Sequence, residues 1–71
     1  MQKIVDIIMV VLENSYLNTD VEIHLDTSLR EDLGMDSIAL AELAVRIESE
    51  YDIDVFEDGI VETVREVVEK L

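Results

Sequence analysis

Cysteine is missing from the 71 residues, and histidine occurs once. Disulfides, thiolate nucleophiles and cysteine-based zinc sites are thereby excluded together, so stability without metal has to come from apolar packing. Basic residues are scarce too, five lysines and arginines against eighteen aspartates and glutamates, for a formal net charge of −13. That excess repels nucleic-acid phosphates and anionic lipid surfaces and favours proteins with basic patches as partners. Neither nucleic acid nor membrane is expected to bind. The opening stretch from Met1 to Leu12 is apolar, yet Asp6 interrupts it and Glu13-Asn14-Ser15 ends it far below spanning length, with no small-residue cleavage site after it. A buried helix in a cytoplasmic protein is the expectation. Internal repeats, low-complexity segments and proline-rich linkers are likewise missing. A chain this short makes one domain, 1–71, whose single core rarely supplies more than about 3–5 kcal/mol of net stability and has no room to enclose a large cleft. The default oligomeric state is a monomer.

What the chain does have is helical periodicity. Ile4, Ile7, Ile8, Val11 and Leu12 recur at helical spacing and predict a helix to about Tyr16. A second helix is predicted from about Ser37 to Tyr51, with Leu40, Leu43, Ile47 and Tyr51 on its core face and a thinner apolar row of Ile38, Ala41 and Val45 suited to a partner. A last amphipathic helix is predicted from the spacing of Ile60, Val61, Val64, Val67, Val68 and Leu71. Between the first two lies a long irregular segment that Val21, Ile23, Leu25, Leu29 and Leu33 are expected to pin, with Ser28 or Thr27 capping a turn at Leu29–Asp32. Val21, Ile23 and Leu25 alternate briefly, as a short strand would. Gly59, among acidic residues, marks a turn or a very short helix. The expected fold is all-α: a small antiparallel bundle of three long helices plus one short helix, with a long loop between the first and second.

Chemistry concentrates at Asp32-Leu33-Gly34-Met35-Asp36-Ser37-Ile38, where a loop gives way to a helix and presents a serine hydroxyl beside an acid. A phosphoester on a serine at a helix N-terminus meets unpaired N–H groups and the positive end of the helix dipole. Gly34 gives the backbone freedom, and Asp36 is placed to cap the helix or to help position a magnesium ion carried by a modifying enzyme. On these residues alone, Ser37 as a plain N-cap remains the competing reading.

The Leu29…Glu31-Asp32-Leu33-Gly34-Met35-Asp36-Ser37-Ile38 stretch, the Glu42-Leu43 and Ile47-Glu48…Glu50-Tyr51 pattern and the closing Thr63-Val64 segment together resemble the phosphopantetheine-dependent carrier proteins, the acyl carrier protein family and its peptidyl and aryl relatives. The resemblance covers nearly the whole chain. It implies that Ser37, preceded by Asp36, receives 4′-phosphopantetheine from coenzyme A through a phosphopantetheinyl transferase. It further implies that Ile38, Ala41, Glu42, Val45 and Glu48 face partner enzymes, acyl-transferring and ketosynthase-type among them, and that Leu43, Ile47, Val64 and Val68 line an acyl pocket. The protein would carry acyl intermediates as thioesters in fatty acid, specialised lipid or polyketide biosynthesis and would catalyse nothing itself. Ala39 stands where fatty-acid carriers commonly have an acid, and the Phe56–Thr63 interval is short, which keeps peptidyl and aminoacyl carriers in view.

Three rivals are weaker. Asp52, Asp54, Glu57, Asp58 and Gly59 gather like a calcium loop, but counting from Asp54 puts Phe56 and Arg65 at positions that need oxygen ligands, so no metal site is expected. A helical adaptor with Ser37 unmodified would use the Ile38, Ala41, Val45 row alone. Ser37, His24 and Asp36 supply the residue types of a hydrolytic triad, with His24 in the irregular segment.

Overall fold

The computed structural model describes residues 1–71, with helices α1 (Gln2–Asn14), α2 (Ser37–Tyr51) and α3 (Val64–Glu69) and no strand. Ile4, Ile8, Val11 and Leu12 bury one face of α1 against Ala39, Leu40, Leu43 and Ile47 of α2. Polar ties at both ends show that the two helices run antiparallel. Lys3 near the start of α1 pairs with Glu50 near the end of α2 at 2.6 Å, and the Asn14 side-chain amide donates to Glu42 Oε2 at 2.9 Å. The α1 helix stops at Asn14 rather than Tyr16, because Tyr16 takes the left-handed conformation (φ 58°). The Tyr16 and Leu17 N–H groups then turn back onto the Glu13 and Leu12 carbonyls, which satisfies the helix end.

The long segment between α1 and α2 is irregular but tightly anchored. Leu29, Leu33 and Met35 are buried in the core and Leu17, Val21 and Ile23 pack partly against it, whereas Leu25 is exposed. No strand forms at Val21–Leu25. The segment finds its backbone partner in the start of α3, where the Val64 and Arg65 N–H groups donate to the Thr27 and Leu25 carbonyls at 3.1 and 2.7 Å. Leu29 N–H in turn donates to the Glu62 carbonyl at 2.8 Å, around an isolated bridge of Ser28 and Thr63. The orphan donors of a helix start and the orphan acceptors of a loop thus cancel each other. Thr27 is buried here, its hydroxyl oxygen accepting the His24 N–H at 2.8 Å.

The Leu29–Asp32 turn forms with Ser28 as its cap. Ser28 Oγ accepts the Glu31 N–H at 3.0 Å and the Asp32 carboxylate accepts the Ser28 N–H at 2.7 Å. Gly34 (φ +76°) then lets the chain turn toward Met35, whose N–H reaches the Leu29 carbonyl at 3.0 Å.

The all-α class is as expected, but the helices are fewer and the last is short. Residues 55–59 form turns instead of a short helix, with buried Val55 as their anchor and Gly59 at φ +128°. Ile60 lies outside the helix, well exposed, because Thr63 is the N-cap of α3 and its hydroxyl oxygen accepts the Glu66 N–H at 3.3 Å. No helix is long and apolar enough to cross a membrane.

Candidate functional site

Asp36 holds extended backbone (φ −93°, ψ −174°) just ahead of α2, and its Oδ1 accepts the Ala39 N–H at 2.9 Å. That makes Asp36 the N-cap. Ser37 is therefore the first residue inside the helix, exposed, and its hydroxyl makes no hydrogen bond within the chain. Its own N–H and that of Ile38 lie in the first turn, where no helical acceptor exists. An uncommitted hydroxyl, free donors and the positive end of a fifteen-residue helix coincide at one point.

Beside Ser37 runs an open groove of about 240 Å³, lined also by Arg30, Leu40, Ala41, Phe56 and Ile60. Its floor is apolar, and Arg30 is its only charged residue. Of these residues only Ala41 figured in the sequence reading of the site. Ile60 was concealed by its helical spacing to Val64, and Phe56 by the turn residues around it.

The exposed face of α2 begins one residue later. Ile38 is 80 % exposed and Val45 68 %, with Ala41 and Glu48 also open to solvent. Glu42 differs from these neighbours. It is partly buried and held on the α1 side by Asn14 and by Arg46, whose Nε donates to Glu42 Oε2 at 2.9 Å. The Asn14 hydrogen bond, seconded by that from Arg46, lowers the Glu42 pKa from its ordinary value. Ala39 is buried, so an acid there would enter the core and could not extend the exposed face.

Leu43, Ile47 and Val64 are fully buried and Val68 partly so, all packed within or against the core. The groove beside Ser37 is a separate feature, sharing none of these four residues. His24 is not joined to Ser37 or Asp36 by any hydrogen bond. Its ring lies 3.8 Å from Glu22, its backbone N–H is bound to Thr27, and the Asp36 carboxylate is engaged with Ala39. No group of three or more histidine or carboxylate side chains converges to hold a metal ion.

The chain matches the family model for the phosphopantetheine attachment site over residues 2–71. It is 37% identical over 68 residues to the mitochondrial acyl carrier protein of Saccharomyces cerevisiae, an alignment covering 96% of this chain and 54% of that protein. It is 42% identical over 50 residues to the acyl carrier protein of Trieres chinensis, covering 68% of this chain and 62% of the relative. With the acyl carrier protein of Amoebophilus asiaticus it shares 39% identity over 72 residues, covering 99% and 85% respectively. The chain thus spans little more than half the length of the first two. No solved structure gives a significant match.

A carrier built around a phosphopantetheine attachment site is the class that these matches define. Within it the chain belongs to the acyl carrier protein family, and the group such a carrier bears is 4′-phosphopantetheine. The residues at the start of α2 fit that group: a hydroxyl to esterify, free N–H groups to receive a phosphate, and an apolar groove alongside.

Proposed function

We propose that Ser37 is the residue that takes the arm, and that the protein carries acyl groups as thioesters and presents them in turn to the enzymes of a fatty acid, specialised lipid or polyketide pathway. The observation that carries this reading is the uncommitted Ser37 hydroxyl, exposed while Asp36 does the capping. A serine spent as an N-cap would have its oxygen tied to the backbone. Ser37 supplies the oxygen of the phosphoester, losing its proton as the pyrophosphate link of coenzyme A breaks and adenosine bisphosphate leaves, and the first-turn N–H groups favour the negative charge that arrives with it. Once attached, phosphopantetheine supplies a thiol, the nucleophile this cysteine-free chain does not possess, and its thioester keeps an acyl group activated. The chain's own part is to tether, orient and present, so it is a carrier and no enzyme.

Partners dock, in this reading, on the α2 face of Ile38, Ala41, Val45 and Glu48, with Glu42 at its flank. Two large apolar side chains, Ile38 and Val45, open to solvent on the helix that Ser37 begins support that assignment. The acidic surface suits a phosphopantetheinyl transferase and pathway enzymes with basic patches, since opposite charge raises association rates without a large buried area. Cargo that reaches Leu43, Ile47, Val64 and Val68 must displace existing core contacts, so short cargo rests in the groove and longer cargo pushes inward. We place this carrier in the cytoplasm as a monomer, which fractionation and sedimentation check.

Incubating the folded protein with coenzyme A and a promiscuous phosphopantetheinyl transferase tests the reading. A gain in intact mass on wild type that disappears in Ser37→Ala supports it. Folded wild type that gains nothing, or Ser37→Ala that gains as much, refutes it.

A further inference from the structure

Four of the five basic side chains face a carboxylate. Lys3 pairs with Glu50, Arg46 with Glu42, Arg65 with Asp26 and Lys70 with Asp58, at 2.6, 2.9, 3.1 and 3.6 Å. Arg30 is the exception, making no ion pair in a chain that has eighteen acidic residues. The Ser28-capped turn explains how it stays uncommitted. Leu29 and Leu33 are pinned in the core, the Asp32 carboxylate is occupied by the Ser28 N–H, and the Arg30 carbonyl receives the Gly34 N–H, which leaves the Arg30 side chain directed outward and exposed. It stands between two hollows. One is polar and holds Glu31 and Glu62, neither of which it bonds; the other is the groove that contains Ser37.

We infer that Arg30 is the binding residue for the arm's phosphodiester, pairing with the phosphate esterified to Ser37 and so laying the root of the arm along Leu40, Phe56 and Ile60. The inference rests on Ser37 being the attachment site. A phosphodiester there places a permanent negative charge beside Asp36 on a chain already at −13, and Arg30 is the one cation lining the same groove without a partner. Guanidinium also suits the task by shape, because its planar fork meets two phosphate oxygens at once. The next part of the arm is a carbon bearing two methyl groups, which matches the apolar floor. A carboxylate at the far end of a cargo is a poorer candidate, since only the phosphate is fixed at Ser37 itself.

The test compares wild type, Arg30→Gln and Arg30→Lys, each converted with coenzyme A and a transferase and checked by intact mass. Two readouts follow, the phosphorus-31 resonance of the attached group and proton–proton Overhauser contacts from the arm's methyl groups to Phe56 and Ile60. In wild type the contacts are present, and raising salt to about 1 M, where the Debye length is about 3 Å, moves the phosphorus resonance toward its Arg30→Gln position. Arg30→Gln loses at least half of the contact intensity, and Arg30→Lys, which keeps the charge without the fork, falls between. Identical phosphorus resonances and contacts in fully loaded wild type and Arg30→Gln overturn the inference while leaving Ser37 as the attachment site intact. Absence of any mass gain on wild type overturns both.

Discussion

Asp36 and Ser37 are neighbours with opposite structural commitments, and the difference is measurable. The Asp36 carboxylate holds the first turn of α2 through Ala39, whereas the Ser37 hydroxyl holds nothing in the fold. Asp36→Ala is therefore expected to cost about 1 kcal/mol of stability, as removal of an N-cap does. Ser37→Ala should stay within about 0.5 kcal/mol of wild type, as a surface change that breaks no contact does. Urea melts of the two apo variants check this, and equal losses would mean that Ser37 carries a structural duty after all. Glu42 offers a second contrast at this scale. Its pKa is lower in the folded protein than in the unfolded chain because Asn14 and then Arg46 donate to its ionised form. The unfolded chain therefore binds the proton first, so the stabilisation is complete above the ordinary glutamate range and is lost as pH falls through the depressed folded value. The stability gap between wild type and Glu42→Gln should be widest near neutral pH and close in acid. A gap that stays constant from pH 7 to pH 3 would locate the interaction in shape rather than charge.

Among the elements, α3 is the most dependent on its surroundings. A six-residue helix forms poorly alone, and here the carbonyls of Leu25 and Thr27 and the hydroxyl of Thr63 satisfy its first N–H groups. Thr63→Ala should cost about 1 kcal/mol and, because the same residues tie α3 to the long loop, speed amide exchange at Val64 and Arg65 together with Leu29. Exchange that accelerates in α3 alone would show that loop and helix open independently. The reasons for what the sequence disclosed lie in the same elements. The α1 and α2 helices were legible because their apolar stripes are long enough for the period to repeat, and α2 begins and ends where that pattern says. The same rule misread the C-terminal segment: Ile60 and Val61 continue the spacing of Val64 and Val67, yet Thr63-Val64-Arg65-Glu66 has the Thr-x-x-Glu form of a capping box and marks the true start. The long loop was legible in its pins Leu29 and Leu33 but not in its partner, since backbone bonds to residues 62–65 leave no mark on side-chain pattern. At the candidate site, local sequence pointed to Ser37 and Asp36, and the structure places both at the start of α2. The groove was not, because Arg30, Leu40, Phe56 and Ile60 come from three separate segments that only the tertiary fold assembles.

At the scale of the whole molecule, charge competes with packing. The chain carries a net charge of −13 within extents of 28 × 21 × 21 Å, and no cluster of its carboxylates converges as a metal site. At about 0.15 M ionic strength the Debye length is about 8 Å, so each carboxylate feels mainly its neighbours; at about 0.01 M it is about 30 Å, longer than the molecule, and every acid repels every other. Unfolding relieves that repulsion by spreading the charges apart, which lowers the stability of a core that has few kcal/mol to spare. In the proposed reading, surface charge that steers basic partners toward α2 therefore works against the fold that presents them. The melting temperature of the apo protein should rise as sodium chloride goes from about 0.01 to 0.15 M, and millimolar magnesium should raise it further at matched ionic strength, because a divalent ion gathers more densely around a polyanion. Attachment of the arm adds one more negative charge, so the loaded form should show the steeper salt dependence unless Arg30 neutralises it locally. Arg30→Gln in the loaded form should then be the most salt-sensitive species of all. Melting temperatures indifferent to both salt and magnesium would mean that the four ion pairs already balance the repulsion, and that the acidic surface imposes no cost on the fold.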